Sequence, residues 1–260
     1  MLRFSANLGF LWPDRPLLAR IEAAAGAGFR AIEMHWPYDI PAAEVKAAAE
    51  RHRLTILGIN TALGNTARGD FGLGAVPGRE QDFQATIDQS IAYCIASGAT
   101  SIHAMAGVMP RDQRAAGRKT LLENLEAASA KAAAHDLTIL LEALNPRDKP
   151  DYFYSTVGEP AAIVAELGRP NVRLMFDVYH VGTAEGDIIR KLERYFPLIG
   201  HIQIAAVPSR AEPDEGEIAY PAIFKSIEAL AYPGWIGAEY KPRGDTDMGL
   251  AWVDKLGVAL

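Results

Sequence analysis

The feature that most narrows the fold of this chain is a pattern repeated from end to end. A short apolar run is followed by a loop, then an Ala-rich amphipathic segment, often a Gly, and then another apolar run. Eight such runs read as strands: Arg3–Asn7, Ala31–His35, Thr55–Asn60, Ser101–Met105, Thr138–Glu142, Arg173–Asp177, Gly200–Ile204 and Ile236–Glu239. The segments between them carry helical spacing. Leu121, Leu125, Ala128 and Ala132 share one helical face, as do Ile188, Leu192 and Tyr195. Thr156 followed by Glu159 reads as a capping box with Pro160 behind it. Gly28, Gly98 and Gly168 fall where helices close on a left-handed residue. Strands that alternate with helices pair in parallel. Eight such units predict an α/β fold, a single (β/α)8 TIM barrel, with residues 1–260 forming one domain. The length fits, since such barrels run to about 250 residues. An open doubly wound sheet is the competing architecture. It lacks support, because Arg3–Asn7 leads into Leu8-Gly9-Phe10-Leu11-Trp12 and not into a Gly-rich phosphate loop.

Composition excludes several classes. The formal net charge is −6, which argues against a nucleic-acid partner, since DNA-binding surfaces are basic. Cys94 is the one cysteine, so neither an internal disulfide nor a thiolate metal cage is available. In the series Phe83, Ile87, Ile91, Cys94 it reads as a small core residue. No apolar stretch approaches the roughly 20 residues that cross a bilayer, and the opening MLRFSANLGFLWPDR lacks the apolar region of a signal peptide. The expected location is the cytoplasm, with no membrane partner. The longest connection, Thr61 to Gly78, reads equally as an active-site lid or a surface loop.

Barrel active sites lie at the C-terminal ends of the strands. Four successive strands place an oxygen ligand there: Glu142, Asp177, Gln203 and Glu239. Buried carboxylates that face one another are costly through desolvation and mutual repulsion. A shared divalent cation removes both costs, and oxygen ligands suit Mg2+ or Mn2+. Pairing of each carboxylate with a nearby Arg or Lys is the competing explanation. His180, three residues after Asp177, is placed above the site as a substrate contact or a further metal ligand. His201, on the face of Gln203 but deeper, reads as packing or as a support behind the ligands.

Several stretches carry a resemblance that spans the chain. They are Arg3-Phe4-Ser5-Ala6-Asn7-Leu8, Pro77-Gly78-Arg79-Glu80, Gly200-His201-Ile202-Gln203-Ile204-Ala205, Arg210-Ala211-Glu212-Pro213 with Gly216-Glu217-Ile218, and Gly234-Trp235-Ile236-Gly237-Ala238-Glu239-Tyr240-Lys241-Pro242. In them the chain resembles the hydroxypyruvate isomerase family of xylose-isomerase-like TIM barrels. The resemblance implies metal ligation by Glu142, Asp177, Gln203 and Glu239, with Glu142 and Glu239 as proton donor and acceptor. It implies a sugar-acid substrate, hydroxypyruvate, interconverted with tartronate semialdehyde through an enediolate. Asn60-Thr61-Ala62, His103-Ala104-Met105-Ala106-Gly107-Val108 and Glu142-Ala143-Leu144 resemble the related 2-oxo-tetronate branch, whereas Asp177-Val178-Tyr179-His180 leans to the first. Arg210 and Lys241 are candidates for the substrate carboxylate. His103, and less directly His35, are candidates for sensing chain length. An AP-endonuclease-like phosphodiesterase is a remote alternative. It needs several strand-end histidines, and this chain has 6 in all, with Gln203 and Asn60 where histidine would stand. A non-catalytic sugar-acid binder on the same barrel is a third reading. A homo-oligomer is left open.

Overall fold

The computed structural model describes residues 2–260. Its parallel strands are β1 (Phe4–Asn7), β2 (Ala31–Glu33), β3 (Thr55–Ile56), β4 (Gly58–Asn60), β5 (Ser101–His103), β6 (Thr138–Glu142), β7 (Val172–Asp177), β8 (Ile199–Ile204) and β9 (Ile236–Ala238). Their order is β3-β2-β1-β9-β8-β7-β6-β5-β4. The run expected at Thr55–Asn60 is therefore two short strands broken at Leu57. The ring still closes across the break, because Leu57 N–H donates to Ile32 O at 2.8 Å and Asn60 N–H to His35 O at 2.8 Å. The result is the expected α/β barrel.

The other strand boundaries shift where a ladder partner leaves. His35 and Met105 lie past the ends of β2 and β5, although the His35 carbonyl still accepts from the Asn60 N–H. Glu239 lies one residue past β9, but its N–H still reaches Ile204 O at 3.2 Å. The carboxylate therefore emerges at the rim and stays tied to the sheet.

Helices fill the connections. Arg114–Ala133 buries Leu121, Leu125, Ala128 and Ala132 against the barrel. Glu80–Ser97 buries Cys94, whose thiol is pushed up to about 12 by burial. Gly98 and Gly168 close their helices in the left-handed conformation. The Thr156–Glu159 box forms in altered form. Glu159 reaches back to the Thr156 N–H at 2.9 Å, but the Thr156 hydroxyl donates to that same carboxylate and caps no backbone N–H. No helix among the described residues is long and apolar enough to cross a membrane.

The connection from Thr61 to Gly78 is docked onto the barrel mouth. Gly72 pairs with Ala106 in an antiparallel bridge, and Leu73 and Gly74 N–H groups both reach Met105 O. Gly72 has φ +97°, and a Cβ there would stand 2.7 Å from Met105 O. Only glycine permits this approach. It delivers Phe71 to the wall of the central cavity.

Candidate active site

Strand alternation points Glu142, Asp177 and Gln203 into the barrel at the end where the chain turns outward. Register aligns them: Asp177 lies beside Gln203, and Gln203 beside Gly237, two residues before Glu239. All four of the sequence-designated ligands are buried. Each presents an oxygen that is buried and has no hydrogen-bond partner: Glu142 Oε1, Asp177 Oδ2, Gln203 Oε1 and Glu239 Oε2. Buried polar atoms are nearly always paired, so four lone-pair atoms without protein partners at one barrel end fit an electrophilic partner. Such a donor set could hold a metal ion.

The tightest group is Glu142, Asp177 and His180, with one ligand atom of each within 4.8 Å of the others. Glu239 stands outside that group, because other partners draw its carboxylate. His35 Nε2 lies 2.7 Å from Glu239 Oε1, and Arg210 Nη2 lies 3.6 Å from Oε2. The electrostatics divide accordingly. Burial, and then the charges of Glu239 and Asp177, hold the Glu142 carboxyl well above its ordinary range. Burial, and then the charge of Glu239, push Asp177 up to about 7. Burial would also raise Glu239, but the His35 hydrogen bond and the Arg210 guanidinium bring it down to about 2.

His180 is inside the site, and its surroundings fix its tautomer. Nδ1 accepts from the Asn145 backbone N–H at 2.9 Å. Burial holds the ring neutral, its pKa well below the ordinary value. A neutral ring that accepts at Nδ1 carries its proton on Nε2. That N–H faces Asp177 Oδ2 at 3.6 Å and Glu142 Oε1 at 3.8 Å. Despite the close grouping, His180 offers the site a donor and not a lone pair.

The remaining sequence-designated residues divide. His103 is buried with Nδ1 3.5 Å from Glu142 Oε2, and its Nε2 has no partner. Arg210 is already engaged. Its guanidinium lies 5.0 Å from the Phe10 ring centre and 4.9 Å from that of Tyr179, and Nη1 is 3.1 Å from Asp148 Oδ2. Lys241 lines the cavity, 5.8 Å from the Phe10 ring centre, and among the described residues it pairs with no carboxylate. The loop under these two is pinned by Arg243, which meets the buried Glu212 at 2.9 Å and Asp214 at 2.8 Å, and also Glu215. That clamp gives Glu212 of the Arg210-Ala211-Glu212-Pro213 motif its role. The cavity is about 250 Å3, a size for a small metabolite.

Four functional-looking residues escape the sequence reading: Glu33, Asn145, Asp148 and Lys149. Glu33 had a usable signal. It is a carboxylate inside the apolar run Ala31–His35, and it becomes a strand end only because β2 stops at Glu33 in the structure. Asn145, Asp148 and Lys149 sit in an irregular loop, where spacing carries no direction.

The description "xylose isomerase-like TIM barrel" matches residues 21–256. A 2-oxo-tetronate isomerase of Cupriavidus necator is 46% identical over 97% of this chain and 98% of its own. A putative hydroxypyruvate isomerase of Homo sapiens is 41% identical over 97% of this chain and 94% of its own. A crystal structure from Brucella melitensis described as an AP endonuclease, family 2, superposes with a TM-score of 0.95 at 40% identity, over 98% of this chain and 99% of that one.

A cation that binds these orphaned oxygens in the folded state alone must stabilise the protein by mass action, by about 2.7 kcal/mol at a hundredfold excess over Kd. Mn2+ or Mg2+ added to chelator-treated protein is expected to raise Tm in differential scanning calorimetry. Asp177→Ala is expected to abolish the shift, and an equal shift in that variant removes Asp177 from the set.

Proposed function

This chain belongs to the xylose isomerase-like TIM barrel family, and from that membership we propose that it is a cation-dependent isomerase of small 2-oxo sugar acids. The observation that carries this reading is the set of unpaired oxygens on Glu142, Asp177, Gln203 and Glu239. In this reading those four residues hold Mg2+ or Mn2+. When bound, the cation supplies Lewis-acid polarisation of the substrate carbonyl and neutralises developing charge.

The protein's own groups do the rest. Glu239, held ionised by His35 and Arg210, abstracts the proton from the hydroxyl-bearing carbon next to the ketone, the CHOH carbon of a 2-oxo-tetronate or the CH2OH carbon of hydroxypyruvate. The electron pair moves into the carbon framework to give an enediolate. Glu142 returns a proton to the former ketone carbon, and the proton of the substrate hydroxyl passes to the other enediolate oxygen. Two carboxyls with opposed environments are a recurrent acid–base arrangement. The His180 Nε2–H lies where it can donate to a substrate oxygen as charge builds. Lys241, at the mouth and without a carboxylate partner, receives the substrate carboxylate. Arg210 chiefly holds Glu239 in place.

Of the two chain lengths we favour the four-carbon 2-oxo-tetronate, with hydroxypyruvate as the shorter alternative. The higher identity to the Cupriavidus protein supports this order, and so does His103. Burial brings His103 down to about 4, so its ring is neutral. With Nδ1 turned to Glu142, the unpartnered Nε2 is free to accept from one additional hydroxyl. A site built to bond a hydroxyl discriminates far better than an apolar wall. The name of the Brucella structure raises phosphodiester cleavage as a rival. Against it stand the net charge of −6 and the single group of three His, Cys, Asp or Glu ligands among the described residues.

Glu142→Gln and Glu239→Gln are each expected to lower kcat by at least ~100-fold. In D2O, Glu239→Gln should also lose exchange of the proton on the hydroxyl-bearing carbon next to the ketone, whereas Glu142→Gln should retain more of it. Exchange lost in Glu142→Gln alone would reverse the roles. Near wild-type kcat in either variant would make that residue a bystander.

His103→Ala is expected to lower kcat/KM for a 2-oxo-tetronate more than for hydroxypyruvate. An unchanged ratio of the two constants would take His103 out of substrate selection.

A further inference from the structure

Glu33 has no part in the chemistry above, yet the barrel interior is shaped around it. It ends β2, is buried, and reaches across to β8. There its Oε2 accepts from His201 Nε2 at 2.8 Å and from Gln203 Nε2 at 3.2 Å. A carboxylate accepts and does not donate. The nitrogen end of the Gln203 amide must therefore lie on Glu33, because the flipped amide would set oxygen against oxygen. The opposite end, Oε1, is the atom left buried and unpaired.

The third strand in this arrangement is β9. Gly237 stands beside Gln203 in the ladder. A Cβ at Gly237 would fall on Glu33 Oε1 and lie 3.0 Å from Gln203 Cγ. Gly237 has no left-handed backbone requirement, so the lack of a side chain there serves space alone. Three strands thus contribute one feature each: a carboxylate, an amide and a gap.

We infer that Glu33 is a positioning residue: it orients the Gln203 amide so that its oxygen, and not its nitrogen, faces the cation site. This rests on the proposed cation site. A freely turning glutamine would offer nitrogen about as readily as oxygen, and an amide nitrogen has no lone pair for a cation. Groups that orient a ligand from behind commonly change metal affinity by 10–100-fold when removed. If Glu33 served only as the partner of His201, Gln203 would be indifferent to its loss.

The test is Mn2+ affinity of the full chain, measured by electron paramagnetic resonance of free Mn2+, for Glu33→Gln, Gln203→Ala and the double variant. Folding is checked by the near-ultraviolet dichroism of the metal-free proteins. The inference expects Glu33→Gln to weaken Mn2+ by roughly 10–100-fold, and to add nothing in the Gln203→Ala background. Glu33→Asp keeps the charge but withdraws the acceptor, and should weaken Mn2+ similarly. It also decides the matter if Glu33→Gln does not fold. Unchanged affinity in folded Glu33→Gln or Glu33→Asp overturns the inference. So does an equal loss in the Gln203→Ala background, which would mean that Glu33 acts through its charge alone. Absence of Mn2+ binding by the unaltered protein overturns the cation site itself, a separate result from loss of the Glu33 effect.

Discussion

Glu142, Asp177 and Glu239 are buried at one end of a parallel barrel with too few protein partners to neutralise them. Most of the surrounding structure answers that condition. Charges out of water are stable only when paired or bound to a metal. Here the one guanidinium in the site, Arg210, meets Glu239 and Asp148, and His35 meets Glu239. Nothing comparable reaches Glu142 Oε1 or Asp177 Oδ2. The asymmetry leaves Glu239 ionised and raises Glu142 and Asp177, and it separates the two proposed proton-transfer groups electrically before any substrate arrives.

The scaffold holds this arrangement from several sides. Arg210 has φ +57°, and its backbone carbonyl accepts from Lys241 N–H at 2.8 Å, so the loops after β8 and β9 share one anchor. Arg243 and its three carboxylates hold that loop from outside. On the opposite side, Gly72 lets the Thr61–Gly78 connection close onto the strand end and bring Phe71 to the cavity. Lys149 lies 3.6 Å from the centre of that ring, which ties this loop to the one after β6. The connection left open in the sequence as lid or surface loop is thus part of the cavity wall.

Much of this was legible in the sequence, for identifiable reasons. The repeat of apolar runs and helical faces carries the barrel, because both periods are local. The strand-end positions of Glu142 and Asp177 follow from where the apolar runs stop, and alternation turns these side chains and that of Gln203 to one face. What was not legible depends on contacts between distant strands. The break at Leu57 has one local signal, Gly58 inside an otherwise apolar run, but a lone glycine does not say that the strand divides there. The His35–Glu239 bond joins residues 204 positions apart. The His180 tautomer is set by a backbone N–H in another loop, and no spacing rule reports it. Glu33 was visible as a carboxylate inside an apolar run, but its effect on Gln203 needs the barrel to be closed.

The central claim is that these unpaired oxygens converge on one divalent cation. Crystals soaked in Mn2+ and measured at a wavelength giving Mn anomalous signal test it directly. The account predicts one strong peak within about 2.0–2.2 Å of oxygens from Glu142, Asp177, Gln203 and Glu239, the range of small hard cations, with His180 Nε2 outside the coordination sphere. A peak ligated by His180 in place of Gln203 or Glu239, a cluster of several ions, or no peak at this end of the barrel would contradict it.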